Sequence, residues 1–118
     1  LYSDIIKKNS LNFSLKTSRG CKRYHIDNVP VRLLVTYFGK GTEWLPRDAC
    51  NYSAYYNGES NEKIIKIKNR SKFIKPWSIA IFKGQKFKGG TEAILHRTPN
   101  EALNNKSLLM CLDSESFS

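Results

Sequence analysis

Apolar and polar positions alternate most clearly in the second half of the chain. Across Trp77–Phe82, Trp77, Ile79 and Ile81 share one face, which predicts a strand anchored in the core by its tryptophan. Gly84 and Gly89-Gly90 then break it into a turn crowded by Lys83, Lys86 and Lys88. Leu11–Leu15 alternates as a short strand. Tyr52–Tyr56 reads as an aromatic strand closed by an Asn57-Gly58 turn. Lys63–Asn69 sets Ile65 and Ile67 against Lys66 and Lys68, and Thr91–Arg97 and Ser107–Leu112 complete the strands. Turns fall at Pro99-Asn100 and Asn104-Asn105.

One segment has helical spacing. Val31, Leu34, Val35 and Phe38 fall at i, i+3, i+4 and i+7. Asp27 or Asn28 would cap this helix, Ile26 would staple its start, Pro30 fits only its first turn, and Gly39 and Gly41 would end it. The expected fold is therefore α+β. One N-terminal α-helix packs on a four- to five-stranded antiparallel sheet, residues 1–20 form an extension or hairpin, and residues 113–118 are a frayed polar tail. At 118 residues the chain is expected to be a single domain.

Charge sharpens this picture. The chain carries a formal net charge of +10, and between Lys63 and Lys88 the basic residues run with no acid among them. A clustered field of one sign suits a phosphate-rich partner. Lys66, Lys68, Arg70, Lys83, Lys86 and Lys88 are the candidate RNA or phosphate contacts, with Tyr52 and Tyr56 as candidate base-stacking rings. No run approaches the ~20 apolar residues of a membrane span, and no membrane partner is expected.

Cysteines and histidines suggest no metal. Cys21, Cys50 and Cys111 form no C-x-x-C pair, and His25 and His96 are too distant in sequence to complete a zinc pattern. Each histidine reads as structural, having no obvious carboxylate partner for acid–base work. Neither metal nor cofactor is expected. The three cysteines allow one disulfide and a free thiol, or three thiols. A start at Leu1 and N-x-S sequons at Asn12, Asn51, Asn69 and Asn105 suggest a processed, secreted chain.

Three stretches carry a resemblance: C-K-R-Y-H-I-D-N-V at Cys21–Val29, Y-S-A-Y-Y-N-G at Tyr52–Gly58, and K-P-W-S-I with G-Q-K-F-K-G-G at Lys75–Gly90. In order and spacing they resemble the fungal guanyl-preferring ribonucleases. Ala54 stands where that family has its first histidine, Lys75 and Pro76 where a glutamate precedes the tryptophan, and no histidine follows His96. The resemblance thus implies a scaffold without catalytic residues and no ribonuclease turnover. It is similar to the ribonuclease-like, haustoria-associated secreted effectors and avirulence proteins of powdery mildew fungi. That likeness implies secretion, then action in the host cytoplasm as a monomer. The partners would be host proteins, a plant intracellular immune receptor and RNA. It also implies a Cys21–Cys111 disulfide with Cys50 free. Two alternatives stand beside it. One is an active secreted ribonuclease using His25, His96 and Glu59 as acid–base groups. The other is a βγ-crystallin-like protein, suggested by Phe82–Gly89.

Overall fold

A computed structural model of the chain describes residues 11–114 apart from 18, 19, 89, 91, 104 and 105. Among these residues, seven strands form two antiparallel sheets. The larger contains β1 (Leu11–Lys16), β2 (Val31–Phe38), β5 (Ile79–Lys83) and β7 (Leu108–Ser114), in the order β1-β7-β2-β5. The smaller contains β3 (Glu43–Leu45), β4 (Lys72–Phe73) and β6 (Leu95–Arg97), in the order β4-β3-β6. His25 adds a bridge on the free side of β6. The chain therefore passes repeatedly from one sheet to the other, which is the strand order of a jelly roll. Three short helices, α1 (Tyr52–Tyr56), α2 (Asn61–Ile64) and α3 (Asn100–Leu103), and a 3₁₀ turn at Arg47–Ala49 complete the described elements. The class is α+β with antiparallel sheets.

The expected helix at Asp27–Gly41 is strand β2. Its residues are V-R-L-L-V-T-Y-F, rich in the β-branched and aromatic types that suit a pleated surface. β2 lies between β7 and β5 and is buried along much of both faces, so its apolar residues do not alternate and imitate a helical period. Tyr52–Tyr56, read as a strand, is helical because the Asn51 side chain accepts the Ala54 amide at 3.0 Å and caps it. Lys63–Asn69 is not a strand either. α2 ends at Ile64, and Ile65 makes a single bridge to Cys50.

Both chain ends differ from expectation. Leu11–Lys16 pairs in full register with β7, from Leu11↔Ser114 to Lys16↔Leu109, and among the described residues it has no hairpin partner. Asp113 and Ser114, expected in a frayed tail, belong to that strand, and Ser114 is buried. Residues 1–10, 115–118 and the Asn104-Asn105 turn lie outside the described residues.

The alternation read in β5 is present with its faces reversed. Ala80 and Phe82 point inward, while Ile79 and Ile81 face out. Trp77 is not a core anchor. It is 71% exposed at a φ of 69° and meets the Tyr37 ring edge-on, with centroids 4.7 Å apart. Two cores result. Leu34, Ala80, Phe82 and Cys111, with Trp44 and Leu109 against them, fill the space between the sheets. Tyr24, Leu45 and Leu95 pack instead against Tyr55 and Ile64, so α1 and α2 cover the far face of the smaller sheet.

Candidate metal centre

His25 and His96 exchange two backbone hydrogen bonds, at 2.9 and 3.1 Å. This bridge sets their rings side by side, with centroids 4.7 Å apart. Asp27 lies two residues after His25, so an extended backbone returns its side chain to the same side. Its Oδ2 is 2.9 Å from His96 Nε2, and its Oδ1 is 3.2 Å from His25 Nε2. One potential ligand atom from each of the three residues lies within 4.8 Å of the others.

The outer ring nitrogens are held as metal ligands require. His25 Nδ1 lies 2.7 Å from the Arg23 carbonyl, and His96 Nδ1 lies 3.5 Å from the Ile94 carbonyl. A carbonyl only accepts, so each Nδ1 is the donor, and each Nε2 is left facing an Asp27 oxygen, where it can carry a proton to the carboxylate or, with that proton displaced, ligate an ion. Two ring nitrogens and a carboxylate thus converge, an arrangement that calls for positive charge between them, as protons or as a metal ion. Phe82 stacks on the His96 ring at 4.2 Å and fixes its plane. Burial of Asp27 opposes its ionisation, but hydrogen bonds from His25 and His96 and the positive charge of His96 and Arg32 prevail. They hold its carboxyl well below the usual carboxylate range.

Two further elements brace this carboxylate. The Arg32 guanidinium reaches Asp27 Oδ1 with Nη1 at 2.7 Å and grips Asp113 through Nε and Nη2 at 2.6 and 2.8 Å. The glycine turn after β5 binds the backbone around Asp27. The Gln85 amide donates to the Asp27 carbonyl and the Gly84 amide to the Pro30 carbonyl, each at 2.8 Å. A Cβ at Gly84 would collide with the Val29 carbonyl, so the close approach requires glycine.

A cavity of about 200 Å³ opens beside the cluster, walled in part by His25, His96, Lys16, Arg32, Thr42 and Thr98. Among the described residues lining it, none is Asp or Glu. On the opposite face of β6 from His96, Arg97 Nε donates to Glu43 Oε1 at 2.8 Å and the Tyr24 hydroxyl donates to Oε2 at 3.1 Å. That triad ties β6, β3 and the segment carrying His25 together. Burial, then the nearby Glu43 carboxylate, pushes the Tyr24 hydroxyl up to about 12.

The residues singled out for RNA lie elsewhere and share no strand face. Lys66, Lys68, Lys86 and Lys88 are exposed. Arg70 pairs with Asp48 at 3.1 Å, and Lys83 is half-buried over the Phe87 ring at 5.5 Å. The Tyr52 hydroxyl donates to the Ala93 carbonyl at 2.8 Å and that of Tyr56 to Glu92 Oε2 at 2.7 Å, fastening α1 to residues 92–93. The Cys21–Cys111 bridge is not formed. Cys21 is an exposed thiol at the cavity, whereas Cys111 is a buried thiol between the sheets. Glu59 is exposed and offers its backbone carbonyl to Arg23.

His25 and His96, taken as unrelated structural residues, are partners. Asp27, taken as a helix cap, stands between them, and Arg32 and Asp113 escaped notice. The local signal was H-x-D, which places two ligands on one side only of an extended segment.

Fold and site define a small two-sheet domain with a two-histidine, one-carboxylate cluster at the inner cleft of its strands. The chain belongs to the family described as "Protein of unknown function (DUF1826)", whose profile matches residues 1–113. No curated protein and no solved structure matches it.

Proposed function

We propose that this domain is a metal-dependent oxidative enzyme that holds one divalent ion, of the Fe(II) class, on His25, Asp27 and His96. The observation that carries this reading is the convergence of two Nε2 atoms on a buried carboxylate, with both Nδ1 atoms turned to backbone carbonyls. Two histidines and one carboxylate are the donor set of non-haem Fe(II) oxygenases, in which the ion supplies redox and Lewis-acid chemistry. Zinc hydrolases use a similar set but add a general base, and the described cavity lining offers no carboxylate for that role. Lys16 and the Thr98 hydroxyl instead suit a small organic acid bound beside the ion.

Anaerobic calorimetric titration with Fe(II) tests the reading, followed by oxygen-uptake assays with a panel of small mono- and dicarboxylic acids. We expect one ion per chain and acid-stimulated uptake, both lost in His96→Ala. Equal binding by His25→Ala, Asp27→Asn and His96→Ala would refute it.

The binding-only alternative is a secreted, ribonuclease-like effector acting on host proteins, an immune receptor or RNA. The exposed Lys66, Lys68, Lys86 and Lys88 support it. It predicts RNA affinity that falls steeply with salt, and a flat response would remove its RNA component.

A further inference from the structure

We infer that Arg32, held by Asp113, is a positioning residue that commits Asp27 to bind the ion through one oxygen, Oδ2; this rests on the metal reading above. Arg32 and Asp113 face each other across the β2–β7 ladder, so the pair is set by strand register and not by a mobile loop. The guanidinium spends all three nitrogens on two carboxylates. Nε and Nη2 form the fork to Asp113, and Nη1 reaches Asp27 Oδ1 at 2.7 Å. The fork fixes the plane of the guanidinium, and the plane fixes where Nη1 points. Oδ1 is thereby engaged by Arg32, the shorter of its two contacts, the other being His25 Nε2 at 3.2 Å, while Oδ2 carries no contact with Arg32 and faces His96 Nε2 at 2.9 Å. Asp113 has its own support, with the Cys111 thiol 3.5 Å from its Oδ1. The chain of support runs from Cys111 through Asp113 and Arg32 to the ligand carboxylate.

A cation beside a metal site also repels the metal, and the two roles predict opposite results. Repulsion alone would let Arg32→Gln bind metal more tightly and leave Arg32→Lys unchanged. Positioning makes Arg32→Lys weaker, because an ammonium keeps the charge but cannot fork one carboxylate while reaching a second.

The experiment is Co(II) titration of the intact chain, following affinity and the visible d–d spectrum. Asp113→Asn is the second variant, since it breaks the fork without touching Arg32. We expect Arg32→Lys and Asp113→Asn to bind Co(II) about 10- to 100-fold more weakly. Their shared change in d–d intensity would report a carboxylate free to bind through both oxygens. Wild-type affinity and spectrum in either folded variant would overturn the inference, as would tighter binding by Arg32→Gln. Failure of the wild-type chain to bind Co(II) at all would instead overturn the metal reading, and this inference with it.

Discussion

A histidine that ligates through Nε2 works best when its other nitrogen is fixed, and both histidines here obtain this from the carbonyl two residues upstream. Asp27 completes the set and stays charged inside the fold. A carboxyl whose folded value is depressed contributes stability above its unfolded value of about 4, and that contribution is lost as pH falls below it. Acid titration of metal-free protein by circular dichroism should therefore show stability dropping below about pH 4, with a shallower drop in Asp27→Asn. The thiols offer a second check. Burial pushes Cys50 up to about 11 and raises Cys111, whereas Cys21 is exposed. Alkylation of native protein at neutral pH, read by peptide mass mapping, should label Cys21 well before the other two. A Cys21 that resists labelling until reductant is added would show a disulfide. None of this chemistry was legible while Asp27 was read as a cap, because residues two apart on a helix diverge whereas on an extended chain they align.

At the level of elements, the turn after β5 matters more for its glycine than for its charge. It was legible as a glycine-punctuated basic loop following a strand, but its role in gripping the backbone of residues 27–30 was not, because that contact joins segments over 50 residues apart. Gly84→Ala would drive a methyl group into the Val29 carbonyl. It should cost about 1–3 kcal/mol in denaturant unfolding and weaken metal binding, since Asp27 would move with its backbone. On the other side of the larger sheet, Phe13, Leu112, Leu33 and Ile81 lie in one cross-strand row, and Phe13 and Ile81 are largely exposed. Ile81→Thr should change stability by no more than about 0.5 kcal/mol, because its side chain is largely exposed on the outer face of the sheet's last strand. The alternation of β5 was legible, but not its direction. Reading Trp77 as buried put Ile79 and Ile81 inside, and a single exposed tryptophan at positive φ reversed the whole strand.

For the whole molecule, the class was legible as α+β with antiparallel strands, but the topology was not. β1 pairs with β7, and residue 25 pairs with residue 96, partnerships that no local pattern announces. The site exists only because the chain crosses between sheets and brings these segments together. No helix among the described residues is long and apolar enough to cross a membrane. A ligand that binds only the folded state raises apparent stability in proportion to the logarithm of its concentration. Thermal unfolding with increasing Co(II) should accordingly show a rising Tm that a chelator reverses and that His96→Ala abolishes.

The most direct measurement is crystallographic: crystals soaked in Mn(II) and measured at a wavelength where manganese scatters anomalously. The metal reading predicts one anomalous peak about 2.0–2.3 Å from His25 Nε2, His96 Nε2 and Asp27 Oδ2. No peak at that position, or peaks only at surface carboxylates, would contradict it.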